Sequence, residues 1–280
     1  MESLPLNPHA VHSISPLTLF RSCKQNRGLI LSLVIREVLG RYKGSVMGLF
    51  WSFFNPILML AVYTFVFSVV FNARWTVNST SKTEFALVLF AGLLIFNVFS
   101  ECVMRAPGLI LGNVNYVKKV IFPLEILPII ALGASFFHFL ISLSVWLLFY
   151  LIFFGLPSVY FLCLPLVLIP LLLLALGLSW FLSSLGVYIR DIGQIIGVTI
   201  SVLMFMTPIF YPLSGLPLEY QDFMQLNPMT FIVEQARNLM IWEKPMNWQL
   251  WSIWTAFSSV ISMLGFAWFQ KTRKGFADVL

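Results

Sequence analysis

Residues 126–189 contain not one Lys, Arg, Asp or Glu, and His138 is the only imidazole among them. A helix rises about 1.5 Å per residue and the hydrocarbon layer of a bilayer is about 30 Å thick, so about 20 helical residues cross it. The run is long enough for two crossings, and Leu156-Pro157-Ser158 supplies the turn between them. A soluble core has no need of so long an uncharged stretch. Hydrophobic residues make up 59% of the chain and charged residues 10%, which agrees with a helical membrane protein. The short alternating segments of a β-barrel are absent. The expected fold class is therefore all-α, embedded in a membrane.

Hydropathy divides the chain into six expected spans: 48–71, 85–104, 126–154, 159–189, 192–211 and 250–269. Glu101 interrupts the second, and Pro165 and Pro170 are expected to kink the fourth. With the N-terminus on the cytoplasmic side, that side holds Arg21, Lys24, Arg27, Arg36, Arg41, Lys43, Arg105, Lys118, Lys119, Arg190, Lys271, Arg273 and Lys274. The far side holds only Arg74, Lys82, Arg237 and Lys244. This bias predicts that both termini are cytoplasmic. The chain then divides into a cytoplasmic tail (1–28), an interfacial amphipathic helix (29–46), a six-helix domain (47–270) and a second cytoplasmic tail (271–280).

Two segments are neither spans nor plain loops. In 29–43, Leu29, Leu33, Val38, Tyr42 and the stem of Arg36 alternate with Glu37, Arg41 and Lys43, the pattern of a helix lying at the inner membrane surface. On the far side, 217–226 and 228–242 are each too short to cross. Asn227 suits a helix N-cap, Pro228 the first helical position, and Glu234 and Arg237 lie three apart on one face. Short re-entrant or exit helices are expected over about 213–247.

Several chemistries are excluded. The chain has no G-x-x-x-x-G-K-[ST] loop for ATP, no D-x-D pair for a metal-bound nucleotide sugar and no H-E-x-x-H. No catalytic or metal site is expected, and no cofactor on this chain. His138, alone in its span, is expected to hydrogen-bond a neighbouring helix, and Glu101 to pair with Arg105 four residues on. Cys23, Cys102 and Cys163 lack metal-binding spacing and read as free thiols. The polar first 28 residues, with Pro5, Pro8 and Pro16, do not form a signal peptide. The net charge of +6 is spread over span ends, so nucleic acid is not an expected partner. Asp191, after Arg190, is expected to cap a helix start.

Four local patterns remain. The approach to the first span reads Arg36-Glu37-Val38-Leu39-Gly40-Arg41-Tyr42-Lys43-Gly44-Ser45, then Leu49, Trp51, Asn55 and Pro56. After the second span comes Asn115-Tyr116-Val117-Lys118-Lys119-Val120-Ile121-Phe122-Pro123, then Leu127-Pro128. The fifth span ends Thr207-Pro208-Ile209-Phe210-Tyr211-Pro212, and Leu226-Asn227-Pro228-Met229-Thr230 follows, with Arg237 beyond. In this order on a six-span chain, the set resembles the permease subunit of ABC-2 type exporters. It is most similar to the branch that exports lipid-linked O-antigen, capsule or teichoic acid. The resemblance covers about residue 29 to the C-terminus.

That resemblance implies a homodimer around a central channel, with each copy resting on a separate ABC ATPase that holds ATP and Mg. It implies a coupling helix at about 112–122, with Asn115, Tyr116, Lys118, Lys119 and Phe122 facing the ATPase. It also implies a lipid-linked glycan as substrate and the bacterial inner membrane as location.

A glycan presents hydroxyls and apolar ring faces, so its conduit needs aromatic surfaces and few fixed charges. Phe53, Tyr63, Phe210 and Tyr211 are the candidate lining. A lipid pyrophosphate needs cations near the inner interface, and Arg36, Arg41 and Lys43 are placed for it by charge and depth. Three other readings stand beside this one: an ABC-2 permease for a small lipid, drug or lipo-oligosaccharide, a membrane-embedded transferase acting on a polyprenyl-linked sugar, and a scaffold without a channel.

Overall fold

The computed structural model describes residues 14–71, 75, 82–118 and 122–280. Lys119, Arg74 and the first thirteen residues of the expected tail lie outside them. The described residues form helices and connecting turns, with no strand among them.

Two helices precede the first apolar segment. Helix α1 (Pro16–Gln25) starts at Ser15, whose hydroxyl accepts from Leu17 N, with Pro16 in the first turn. Helix α2 (Arg27–Tyr42) buries Leu33 and Val38. Helix α3 (Trp51–Tyr63) passes directly into a π-helical stretch, Thr64–Val70. Helix α4 (Lys82–Arg105) leads into the short α5 (Gly108–Leu111) and α6 (Val114–Lys118). Helix α7 (Leu127–Phe154) and helix α8 (Leu164–Tyr188) fill the uncharged run, joined through Gly155 at φ 87°. Then come α9 (Ile192–Met206), α10 (Leu218–Gln225), α11 (Pro228–Met240), α12 (Trp248–Thr272) and α13 (Phe276–Val279).

Among the described residues, five helical stretches are long and apolar enough to cross a membrane: Gly48–Phe67, Thr83–Arg105, Leu124–Phe154, Val159–Tyr188 and Trp248–Val279. The fifth expected span is shorter than its hydropathy. Ile192–Met206 has 15 residues, about 22 Å of helix at the usual rise. Thr207, at ψ 135°, leaves the helix just before Pro208, as a residue before proline does. The proline expectation for the fourth span also divides: Pro165 sits in the first turn of α8, where it fits, and only Pro170 lies inside.

Helix α4 is the hub. Of its apolar span 78% is buried, against 11% of the first span. Its side chains from Phe85 to Phe99 are nearly all buried in one cluster with α7, α8 and α11. A second, smaller cluster joins Leu33 of α2, Ile110 of α5, the start of α7, Trp180, and Phe266, Phe269 and Phe276. It lies at the end of the bundle that carries α1 and α13.

Close approach needs small residues. A Cβ on Gly265 would stand 2.0 Å from the carbonyl oxygen of Gly177, so α8 and α12 pack backbone against backbone. Gly133 plays the same part for α2: a Cβ there would meet Val34 at 2.8 Å. The helix before the first span is thus docked on α7.

Candidate functional site

Where α2 crosses α4 and α7, the three helices bring their charged groups together. Glu101 of α4 forms an ion pair with Arg41 of α2. Arg105 Nη1 lies 3.7 Å from the same carboxylate oxygen, Oε1, so the expected one-turn pair is present but is not the nearest one. Arg105 in turn pairs with Glu37 of α2 through Nη2. His138 of α7 sits 3.2 Å from Arg41 Nη1 through Nδ1 and 3.3 Å from the Tyr42 hydroxyl through Nε2. Arginine only donates, so in this contact Nδ1 is the acceptor; the same Nδ1 lies 3.6 Å from Glu101 Oε1. Burial, with Glu101 adding and Arg41 opposing, raises the Tyr42 hydroxyl above the usual phenol range. As expected from its isolation in an apolar span, His138 bonds to a neighbouring helix.

This cluster closes one end of a cavity of about 550 Å³ between α3, α4 and α7. Further along, Asn55, Asn97, Ser135 and Ser142 line it with neutral hydrogen-bonding groups, facing apolar walls such as Met59 and Leu94. Tyr63 lines it too. Of the other candidate lining residues, Phe53 is 43% exposed and lies outside this cavity. Phe210 joins the same row of rings as Tyr63: Phe67 lies between them, 6.5 Å from Tyr63 and 6.0 Å from Phe210 by centroids. The Tyr211 hydroxyl donates to Phe205 O at 2.8 Å.

Of the candidate anion-binding cations, Arg41 is in the cluster. Arg36 points elsewhere: its Nη2 donates to the Tyr116 hydroxyl at 2.7 Å, with its guanidinium 5.9 Å from the Tyr116 ring. That ring stacks on Phe122 at 4.2 Å and 8°. Lys43 is exposed at the end of α2. Two members of the candidate coupling segment, Tyr116 and Phe122, therefore form one packed unit that holds α2. Asn115 and Lys118 are exposed. Beneath the unit, Glu125 is buried and accepts from Ser22 at 2.9 Å and from Arg273 at 2.6 Å, while its own carbonyl accepts from Trp180 Nε1 at 3.0 Å.

The opposite end is organised by the break after α9. Asn227 caps α11 as expected, accepting from Met229 N at 3.0 Å, with Pro228 in the first turn. Helix α11 is buried along most of its length, from Met229 to Met240. Arg237 is fully buried. It keeps the expected pair with Glu234 at 2.9 Å, but most of its bonds are to backbone: Val88 O at 3.0 Å, Pro208 O at 2.5 Å and Ile209 O at 2.7 Å. Its guanidinium also covers the Trp75 ring at 4.3 Å. A Cβ at Gly92 would stand 2.5 Å from Arg237 Nη2, so the space for this side chain exists because residue 92 is glycine. Burial pushes the guanidinium down to about 10, with Glu234 opposing, and it stays charged at neutral pH.

Sequence reasoning gave Arg237 only the pairing with Glu234 on one helix face and missed this role. The available signal was an arginine thirty residues beyond a proline-broken helix end that needs donors. Asn55 was noted only as part of the first local pattern and Asn97 not at all, because a single amide inside an apolar span carries no periodic signal of its own. Asp191 stands at the α9 start but makes no side-chain cap bond, its backbone already being helical at φ −77°, ψ −8°.

Residues 28–241 match the ABC-2 type transporter family. Over 94% of this chain and 99% of the relative, the sequence is 28% identical to the "O-antigen export system permease protein RfbA" of Myxococcus xanthus. It is 25% identical to the protein of the same name from Klebsiella pneumoniae, over 92% of this chain and 98% of the relative. The "Polysialic acid transport protein KpsM" of Escherichia coli is 23% identical over 75% of this chain and 80% of its own length. The matched region contains the charged cluster, the polar groove and the clamped break after α9, and the chain belongs to the ABC-2 type transporter family as a permease.

Proposed function

We propose that this chain is the membrane-spanning subunit of an ATP-driven exporter that moves a lipid-linked polysaccharide, O-antigen in the first instance, across the bacterial inner membrane. The observation that carries the reading is the end-to-end match to O-antigen export permeases, which leaves neither chain with a large unmatched part. The groove supports it. Neutral amides and hydroxyls set in apolar walls suit a chain of sugars, which must be held by many weak contacts and released from each. The match to a polysialic acid transport protein favours a capsular polysaccharide as the second cargo.

In this reading both termini are cytoplasmic, by the distribution of Lys and Arg. Ile192–Met206 and the turn residues after it complete a sixth crossing, and α10 and α11 form the exit side. Two copies pair around the channel, each on an ATPase subunit that carries ATP and Mg. The α5–α6 segment with Phe122 receives the ATPase. Lys118 and Lys119 offer it charge, Asn115 a polar contact, and the Tyr116–Arg36 bond passes its movement to α2 and the groove. Arg36, Arg41 and Lys43 attract the lipid pyrophosphate, and Phe53, Tyr63, Phe210 and Tyr211 give the sugar rings faces to slide on.

The test is co-purification with the ATPase encoded beside it, then hydrolysis in lipid with and without extracted lipid-linked glycan. A stable two-plus-two complex whose hydrolysis responds to the glycan supports the reading. A chain that binds no ATPase, or a complex indifferent to glycan, overturns it.

A further inference from the structure

The charged cluster has a surplus. Two arginines from different helices, Arg41 and Arg105, are directed at a single oxygen of Glu101, Oε1. Arg105 Nη1 is buried and makes no hydrogen bond, since 3.7 Å is too long for one. A buried donor without an acceptor is costly and rare, and calls for an explanation. His138 accepts from Arg41 at 3.2 Å and so fixes where that guanidinium points. The groups facing the carboxylate are Glu37, Arg41 and Tyr42 from α2, Arg105 from its own helix and His138 from α7. The cluster opens directly onto the 550 Å³ groove, with Asn97 one turn away on the same helix.

We infer that Glu101 is an internal counter-anion occupying a phosphoryl-binding site built by Arg41 and Arg105, with His138 as the positioning residue, and that the phosphate of a membrane-anchored ligand displaces it. This deepens the exporter reading and rests on it. A carboxylate has two oxygens in one plane and cannot serve donors that arrive from separate helices equally. A diphosphate that joins a lipid to a sugar has four unesterified oxygens, two on each tetrahedral phosphorus and not in one plane, and charge-assisted bonds to arginine are the strong ones. The donor that Glu101 leaves unused is the one a second phosphate oxygen would fill. Glu101 also neutralises Arg41 when no ligand is present, while Glu37 does the same for Arg105. Release is then built into loading: the carboxylate competes with the bound phosphate at every moment and returns when the headgroup moves on.

The experiment is equilibrium binding of labelled polyprenyl pyrophosphate to the full chain in phosphatidylcholine nanodiscs. Glu101→Gln removes the competing charge and is expected to tighten binding by about tenfold. Asn97→Asp, nearly isosteric, adds a second anion to the groove and is expected to weaken it severalfold; it keeps the test open should Glu101→Gln fail to fold. Arg41→Gln is expected to abolish binding. Affinities unchanged from wild type in Glu101→Gln and Asn97→Asp, or no binding to any form, would overturn the inference. Phosphatidylglycerol is added in a parallel arm. If it displaces the probe at equal concentration, the phosphoryl site stands and its source is bulk lipid rather than a polyprenyl carrier. Glycan stimulation of the partner ATPase is read from the same preparations. Stimulation together with variant-independent binding sinks the counter-anion while leaving the exporter, whereas absence of stimulation sinks the exporter reading itself.

Discussion

The side-chain amide of Asn227 donates to Thr207 Oγ1 across 3.1 Å, twenty residues back in the chain, while its oxygen caps the helix that follows it. One asparagine thus joins the broken end of α9 to the start of α11. Asn227→Ala is expected to lose the cap, about 1 kcal/mol, and the tether as well. Thr207→Val alone should cost less. Thermal unfolding of both single variants and the double variant gives the coupling. A coupling of at least about 0.5 kcal/mol is expected for groups in direct contact, and strict additivity would show that the bond does nothing.

Arg237 should be the least replaceable residue at that end. Its removal leaves the carbonyls of Val88, Pro208 and Ile209 without their donor. Breaking a buried charged network of this kind costs about 3–5 kcal/mol. Arg237→Lys keeps the charge but not the planar fork, so it should be nearly as damaging as Arg237→Met. Folded yield and unfolding temperature in detergent check this. Glu234→Gln, half-buried at the edge, should lower the unfolding temperature far less.

The glycines give a prediction of opposite signs. Gly265→Ala drives a methyl into the Gly177 backbone, and overpacking of this kind costs about 1–3 kcal/mol. Gly40 lies within α2 with nothing within 4 Å of where its Cβ would be. Gly40→Ala should therefore stabilise by about 0.5–1 kcal/mol, through propensity alone. Unfolding curves of the two variants should move in opposite directions.

On the exporter reading, Tyr116→Phe removes only the hydroxyl that accepts from Arg36. It should leave complex formation intact and reduce the coupling of hydrolysis to glycan. Lys118→Glu with Lys119→Glu should weaken docking of the ATPase itself. Hydrolysis and pull-down measured together separate the two effects. Tyr211→Ala should slow export without lowering assembly, and a wild-type rate would remove it from the conduit.

What the sequence disclosed follows from how far each cause reaches along the chain. Apolar length is local, so α4, α7, α8 and α12 were predicted within a few residues of where they lie. The Asn227 cap and Pro228 were readable because both belong to one turn. Helix α9 was overextended since Ile209 and Phe210 are as apolar as any span residue; what ends the helix is the geometry before Pro208. The cluster at Glu101 was only partly legible. Arg105 stands one turn away, but Arg41 lies sixty residues from Glu101 and ninety-seven from His138, and no local pattern joins them. Helix α1 was read as part of a featureless tail because its residues are mostly polar. Its Ser15 cap and Pro16 were the signal that went unused.

Glu125 gathers Ser22 of α1, Trp180 of α8 and Arg273 beyond α12 around one residue at the head of α7. Helix α1 and the residues just after α12 are therefore not independent of each other. Both are fastened to one carboxylate at the head of α7, so whatever displaces one of them loosens the anchor of the other.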